Sequence, residues 1–284
     1  MTRIDLSMAD VAAKAPLGCP HPRARGGVQL QAALRGGRSA LTHLRHEGCC
    51  RALFPRHPGA ALEAVVLNTA GGLTGGDAIG HRVRAAAGAT ITLATQTAER
   101  AYRALPGTFA KADLQLNADP GARIDWLAQE TILFDGASLR RRIEADLAED
   151  ARLLLVEPLV FGRAAMGERV ETVSLTDQWR IRREGALIYA DALRLTGDAE
   201  AALNSTGIAD GARAMATVLM IAPDADRLYA GVLPLLPETA GASLIRPGVL
   251  LLRLLATDGY ILRRALLPLI TALRGAPMPK VWNI

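Results

Sequence analysis

Residues 79–95 read IGHRVRAAAGATITLAT, and this stretch decides the fold class. Apolar and polar side chains alternate in both halves, so that Ile79, His81 and Val83 fall on one face of the first half. Such alternation is typical of a half-buried β-strand, because successive side chains on a strand point to opposite faces. A short Ala-Gly-Ala run separates the halves and can form a turn. The stretch therefore predicts a β-hairpin.

Alternating segments recur at roughly ten-residue spacing along much of the chain. Asp119-Pro120-Gly121 separates two of them and suits a turn, because proline presets φ and glycine accepts positive φ. Further hairpins are predicted for residues 111–116 with 122–127, 139–146 with 152–156, and 179–183 with 187–191. Short strands in this order favour a mainly β fold of stacked or solenoid-like antiparallel sheets over βαβ units.

Helices are predicted only toward the C-terminus. An apolar stripe at helical spacing covers about residues 258–274, where Asp258 can cap the N-terminus and Gly275 can end the helix. Pro268 lies inside this segment and should kink it. A second helix is predicted over about residues 198–220. The apolar stripe favours packing against the core, with a docking surface as the alternative.

A glycine-rich heptad, GGLTGGD at residues 71–77, follows the apolar run at 64–67. Its four glycines are Gly71, Gly72, Gly75 and Gly76. Glycines at this density suit a backbone that takes positive φ or that other atoms approach closely. A phosphate loop needs Lys and Ser or Thr after its last glycine, whereas Asp77 stands here and would repel a phosphate. We interpret the segment as a structural glycine loop followed by an acid.

Composition and charge divide the chain into two parts. Half of the 284 residues are hydrophobic (50%), which suits one domain over residues 28–284 with its own core. Residues 1–60 carry nine Lys or Arg against three acids, although the whole chain has a net charge of only +5. A basic arm could touch nucleic acid or an acidic partner. Because prolines interrupt it, we predict instead a solvated, partly disordered arm over residues 1–27.

Three function classes are disfavoured. The aromatic share of 4% is low for a protein that stacks on single-stranded nucleic acid. The longest apolar stretches, such as 249–252, are broken by charges and are shorter than the roughly 20 residues that span a membrane. Asp5 and Asp10 interrupt any apolar core of a signal peptide. We expect a cytoplasmic protein without nucleic-acid or membrane partners.

Histidine and cysteine cluster in one segment. Its members are His43, His46, Cys49, Cys50 and His57. Thiolate and imidazole suit zinc or nickel, but the spacing matches no known finger, and His43 and His46 would point to opposite faces of a strand. With Cys19 the cysteine count is odd, which argues against a disulfide framework. We favour surface histidines and buried cysteines, with a metal site as the alternative.

Motifs of known catalytic sites are missing from the sequence, and no catalytic residue is predicted. Carboxylates instead recur beside glycines or apolar strands, at Glu63, Asp77, Glu130, Asp135, Glu157, Glu168 and Asp191. Acids among apolar neighbours need partners or water, so they either pair with arginine or face a wet cavity. Oxygen ligands along such a cavity would bind a divalent ion weakly, which suits passage better than storage. Surface or ion-paired acids remain the alternative for each.

In five segments the chain resembles the UreD family of urease accessory proteins. In chain order they are EAVVLNTA at 63–70 with the glycine loop, TQTAERAYR at 95–103, WLAQETILF at 126–134, GRAAMGE at 162–168 and PMPKVW at 277–282. Four positions depart from the family pattern: Ala128 and Lys280 replace the usual Pro and Arg, Arg100 stands where Lys is common, and Asn68 where His is frequent. A metal ligand at that last position is therefore not expected in this chain.

The resemblance implies a non-enzymatic scaffold that binds apo-urease and the partners UreF and UreG, the latter a GTPase. It also implies an internal tunnel that conveys transient Ni²⁺ toward the urease active site, with no tightly bound cofactor. By position, Asp77, Glu157 and Asp191 are the first candidates to line it, and Glu130 and Glu168 follow. Two alternatives stay open: a metal-dependent hydrolase, or a stoichiometric metallochaperone that uses the segment from His43 to His57.

Overall fold

The computed structural model describes residues 22–56, 58–163 and 166–283, and within these ranges the chain forms 17 β-strands and three α-helices. Two sheets hold all the strands. In spatial order sheet A contains β14 (Ala186–Asp198), β13 (Thr172–Arg183), β11 (Ala137–Leu147), β8 (Ala110–Ala118), β5 (Ala78–Ala85), β1 (Arg25–Arg35) and β2 (Arg38–Gly48). The prediction of a mainly β fold is confirmed.

Sheet B is the larger of the two, with ten strands. In spatial order it contains β16 (Ala240–Arg246), β17 (Val249–Ala256), β15 (Ala214–Ile221), β12 (Arg152–Phe161), β9 (Arg123–Leu127), β6 (Thr90–Thr95), β4 (Leu62–Asn68) and β3 (Cys50–Leu53). Two short strands, β7 (Glu99–Ala101) and β10 (Thr131–Leu133), pair with each other, and β10 also pairs with β12.

The centre of the molecule is a solenoid in which the chain alternates between the sheets. It runs from β4 in sheet B to β5 in sheet A, then through β6, β8, β9, β11 and β12 in the same alternation to β13. Neighbours within each sheet are consequently parallel, as in β5 with β8 and β6 with β9. Solenoid-like stacking is thus confirmed, but the antiparallel pairing predicted for its central strands is wrong.

Three of the four predicted hairpins are wrong for one physical reason. The turns at Gly88 and at Asp119–Gly121 carry the chain across to the opposite sheet rather than back beside the same strand. Successive turns then stack, since the amide of Gly88 donates to the carbonyl of Pro120 at 2.9 Å. Residues 139–146 and 152–156 likewise lie in different sheets. Only residues 179–183 and 187–191 form the predicted hairpin, across a Glu184-Gly185 turn in which both residues have positive φ.

Sheet B is buried on both faces, which produces two hydrophobic layers. The front layer lies between sheets A and B and includes Ile124, Ile143 and Leu155. The back layer lies between sheet B and two of the helices and includes Leu127, Val156 and Leu266. Alternate residues of one sheet B strand therefore enter different layers.

The helices are α1 (Ala199–Asn204), α2 (Ala225–Val232) and α3 (Gly259–Arg274). α2 and α3 cover the back layer, whereas α1 packs beside β13 and β14 and contributes Ala199 and Leu203 to the front layer. The predicted helix over 258–274 is confirmed, with Asp258 accepting from the amide of Ile261 at 2.9 Å and Gly275 in the left-handed region. The predicted helix over 198–220 is wrong beyond α1, because Ala214–Ile221 alternates between the two layers as strand β15.

The first described strand begins at Arg25, three residues before the predicted domain boundary at 28. Residues 1–21 of the predicted basic arm lie outside the described residues. Among the residues that the structure describes, no helix combines the length and apolar character needed to cross a membrane.

Candidate functional site

A cavity of about 130 Å³ opens in the front layer, at the end of the solenoid where the sheet B strands finish and the sheet A strands start. Asn68, Gly71 and the segment from Gln96 to Arg100 line its mouth. His81, Trp126, Arg141 and Glu157 line it further along the strands. The solenoid thus provides a space with both apolar walls and ionisable side chains.

The glycine loop packs against the segment that follows β6, beside the cavity mouth. Gly71, Gly72 and Gly76 all have positive φ, as the glycine pattern predicted. A Cβ at Gly72 would lie 2.4 Å from the ring of Tyr102, and a Cβ at Gly75 would lie 1.9 Å from Thr108 Oγ1. Close approach of the backbone therefore requires glycine at both positions.

Asp77 holds this loop in place. Its buried carboxylate accepts from the amide of Thr74 and from the amide of Ala24, each at 2.8 Å. The first bond closes the glycine loop and the second ties it to the residue before β1. Asp77 is not among the residues that line the cavity.

Three buried charges meet beside the cavity. The guanidinium of Arg141 on β11 contacts Asp177 on β13, at 3.0 and 2.5 Å, and crosses the layer to contact Glu157 on β12. The indole N–H groups complete the set: Trp126 donates to Glu157 at 2.7 Å, and Trp179 to Asp177 at 3.1 Å. We call Arg141, Glu157 and Asp177 the front triad.

The front triad has two carboxylates for one guanidinium. Burial raises the pKa of Glu157 and outweighs the opposing effect of Arg141. Burial alone would lower the pKa of Arg141, but Asp177 and Glu157 together raise it, so the guanidinium stays charged. The triad is therefore short of positive charge, and a cation in the cavity would relieve that shortage.

Two more acidic residues border the same cavity. Glu99 is held at the mouth by the side-chain amide of Asn68, at 3.3 Å, and burial raises its pKa. Asp113 on β8 is half-buried and burial raises its pKa as well, but it pairs with Gly80 and Arg142 and points with them to the outer face of sheet A. Glu99 and Glu157 therefore bring carboxylates into the cavity whose ionised forms are only partly compensated.

Of the histidines that the structure describes, His81 alone lines the cavity. Its ring centroid lies 5.9 Å from that of Trp126, and its Nδ1 is buried without a hydrogen-bond partner among the described residues. Burial lowers the pKa of His81 to about 4. The imidazole is therefore neutral near pH 7 and retains a lone pair for a ligand.

The other acids predicted for the site are engaged elsewhere. Glu130 forms a two-bond ion pair with Arg263 of α3, at 2.9 and 2.6 Å. Glu168 accepts from Arg163 at 2.8 Å, and Asp191 contacts Arg253 and Tyr189. Of the five predicted acids, the cavity lining contains only Glu157.

The segment rich in histidine and cysteine does not form a cluster. His43 is exposed on β2, while Nε2 of His46 accepts from the amide of Ala52 at 3.1 Å. Cys49 and Cys50 are both free thiols. His57 and Cys19 lie outside the described residues. Within the described part of the chain, no group of three or more His, Cys, Asp or Glu side chains is arranged to hold a metal ion.

Sequence reasoning missed Arg141, Asp177, His81 and Glu99 as site residues. A signal existed for the first three, because each occupies an inward position in an alternating strand. Arg141 lies between Leu139 and Ile143, both buried. A polar side chain in the apolar register of a strand is costly unless it is paired or functional. Glu99 carries no such pattern, because β7 has only three residues.

The comparisons with known proteins agree on one family. The family model for the UreD urease accessory protein matches residues 24–283. A urease accessory protein UreD from Ruegeria pomeroyi is 44% identical over 257 residues, which cover 90% of this chain and 100% of the relative. Another from Rhizobium leguminosarum bv. viciae is 45% identical over 263 residues, covering 92% and 96%. A third, from Roseobacter denitrificans, is 41% identical over 264 residues, covering 93% and 96%.

Proposed function

The chain belongs to the UreD family of urease accessory proteins, and from that premise we propose that it is a non-enzymatic scaffold that conveys nickel to apo-urease. In this proposal it works in the cytoplasm, binds apo-urease together with UreF and UreG, and passes Ni²⁺ through the cavity of the front layer. Nickel is cargo here, and no residue of the chain changes it chemically.

One observation carries the proposal: Glu99 and Glu157 line one cavity, and burial raises the pKa of both. A divalent cation in that cavity would favour their ionised forms, because an opposite charge within a few ångströms lowers the pKa of a carboxylate. The described residues provide no group of three ligands for tight binding. Weak binding suits an ion that must also leave.

Glu157 is the predicted acid that best fits a nickel path, because it lines the cavity and belongs to a triad with an excess of carboxylates. We assign structural roles to the other four. Asp77 closes the glycine loop, and Glu130 fastens α3 to sheet B. Glu168 pairs with Arg163, and Asp191 links β14 to β17 through Arg253.

The test is co-expression of UreF, UreG and apo-urease with this chain, with its Glu157→Gln variant, or without it. Nickel per urease and ureolytic activity are measured on purified urease. We expect activation to require the chain and to fall in Glu157→Gln although the complex still assembles. The proposal would be overturned if urease were fully activated without the chain and if no complex of the chain with its partners could be recovered. A matched control is Asp125→Asn, which makes the same kind of change in the back layer.

A further inference from the structure

A second cavity of about 110 Å³ meets the first at His81. Gln29, Arg82, Gln115 and Arg142 line it, and these positions alternate with the inward residues of their strands. It therefore lies on the outer face of sheet A. The two cavities share His81, Asp113 and Leu114.

Gly80 makes room for the outer cavity. It occupies an outward position on β5 beside Asp113, where the atom nearest to an added Cβ would be the carbonyl oxygen of Asp113, at 3.8 Å. Any larger residue would fill this space. The next residue, His81, consequently borders both the interior cavity and the outer cavity and is not enclosed in a close-packed layer.

His81 is not held by the network around it. The indole N–H of Trp126, its aromatic neighbour, donates to Glu157 instead. Nδ1 of His81 has no partner among the described residues, although a buried polar atom without a hydrogen bond costs about 1–3 kcal/mol. Since no hydrogen bond among the described residues fixes its tautomer, either ring nitrogen can carry the lone pair.

Charge favours the interior side for a cation. The outer cavity has two guanidiniums, of Arg82 and Arg142, against the carboxylates of Asp113 and Glu144. The interior cavity has Glu99 and Glu157 against Arg100 and Arg141, and Asp177 adds a further carboxylate behind Arg141. A cation beside His81 is thus more stable on the side of Glu157.

We propose that His81 is a nitrogen ligand for a transient borderline divalent cation such as Ni²⁺, bound in the interior cavity between the imidazole and the carboxylate of Glu157. This inference rests on the proposed function and gives it a source of selectivity. Imidazole binds nickel, cobalt or zinc well, whereas Mg²⁺ and Ca²⁺ prefer sites made only of oxygen. Carboxylates alone would not make that distinction, so His81 is the selectivity-determining residue.

The proposal is tested on the full chain labelled with ¹⁵N-histidine, titrated with Ni²⁺ alone while the imidazole resonances are followed. We expect Ni²⁺ to broaden the His81 resonances before those of the other four histidines, His21, His43, His46 and His57, and a large excess of Mg²⁺ to leave this unchanged. Broadening confined to those four histidines would overturn the proposal. This readout needs no variant, so it decides even if a substitution at His81 prevents folding.

Variants measure the size of the effect. His81→Gln should weaken Ni²⁺ binding about tenfold or more, as loss of a group that supports a metal typically does, and should leave Mg²⁺ binding unchanged. His43→Gln is the matched control, because it makes the same change on the exposed strand β2. Equal Ni²⁺ affinity in His81→Gln and the unaltered chain would contradict the assignment.

Failure of this inference is distinguishable from failure of the proposed function. If Glu157→Gln blocks nickel delivery but Ni²⁺ does not affect the His81 resonances, the proposed nickel path is supported and the assignment of His81 as a ligand fails. If Ni²⁺ binds His81 but urease is fully activated without this chain, the site stands and the conveying function fails.

Discussion

The front and back layers both contain buried arginine–carboxylate pairs, but the pairs have different surroundings. In the back layer, Arg274 of α3 contacts Asp125 at 3.1 Å and the carbonyl of Pro277. Arg263 contacts Glu130 and reaches the carbonyl of Trp282 at 3.4 Å. In the front layer, the described bonds of Arg141 go only to carboxylates, and a cavity lies beside them.

This difference distinguishes ion pairs that hold parts of the structure together from ion pairs that belong to a candidate functional site. In the back layer the guanidiniums bind backbone carbonyls of the C-terminal tail, so they hold α3 and the tail on sheet B. The front triad holds no loop or tail and leaves carboxylate charge only partly compensated next to open space. A buried ion pair alone is weak evidence of function. The adjacent cavity distinguishes the front layer, as does the Nδ1 atom of His81, which has no hydrogen-bond partner in the described part of the chain.

The largest effect is expected in the back layer. Arg274→Ala leaves the carboxylate of Asp125 buried, with Arg123 as its remaining partner at 2.8 Å. Breaking one member of a buried pair costs about 3–5 kcal/mol, so the free energy of unfolding in urea should fall by this amount. Arg264→Ala, on the exposed side of the same helix, should cost less than about 1 kcal/mol. An equal loss of unfolding free energy in the two variants would contradict the role of Arg274 in holding α3 on sheet B.

The second effect is a pH dependence from the front layer. Because burial lowers the pKa of His81 to about 4, the unfolded chain binds a proton on this residue between about pH 4 and 6.5 while the folded chain does not. The free energy of unfolding should therefore rise with pH across this window, by up to about 3 kcal/mol. His81→Gln should lack this contribution. The check is the difference between the two unfolding free energies at pH 4.5 and pH 7. A constant difference would mean that His81 is not buried as a neutral group.

A third variant strains the cavity mouth without changing a charge. Gly72 has a φ of 148°, and a Cβ there would lie 2.4 Å from the ring of Tyr102. Gly72→Ala should therefore lower the free energy of unfolding by about 1–3 kcal/mol. Gly71→Ala is the control, because a Cβ at Gly71 meets no atom within 4 Å and leaves only the backbone strain. A larger loss at Gly71 than at Gly72 would contradict the close approach.

The smallest stability effect, but the most specific functional one, is expected for Glu157→Gln. The amide keeps an oxygen for the indole of Trp126, and Arg141 keeps Asp177. The cost should be about 1.5 kcal/mol, typical of one hydrogen bond to a charged group. Thermal unfolding measures it, and nickel per urease measures delivery. If the variant lost this stability but delivered nickel normally, Glu157 would have a structural role only.

The strands were predictable and their pairing was not. Alternation along 79–95 indicates strands correctly, because it reflects which face is buried. It carries no information on whether the turn at Gly88 leads back beside the same strand or across to the other sheet. Residues 214–221 were wrongly predicted as helix for a related reason. A strand buried on both faces has a nearly continuous apolar sequence, which cannot be told from a buried helix by its periodicity.

The site was predictable in part. Glu157 was found because it stands out among apolar neighbours. Arg141 was recognisable from its inward position between Leu139 and Ile143, but the run of three arginines around it suggests an exposed surface. Its proximity to Glu157 depends on the parallel coiling that the sequence does not reveal. The roles of Asp77 and Glu130 could not be separated from that of Glu157, because all three are acids beside apolar strands.

The most direct measurement blocks the cavity while leaving every charge in place. Ala112 lines the cavity, and Ala112→Phe would fill it; Ala216→Phe introduces the same side chain into the back layer. Each variant is co-expressed with UreF, UreG and apo-urease, and nickel per urease is measured on complexes shown to be assembled. We predict that Ala112→Phe loses most nickel delivery, while Ala216→Phe is less stable by about 1–3 kcal/mol and still delivers nickel. Delivery by Ala112→Phe equal to that of the unaltered chain would contradict passage of nickel through the front layer.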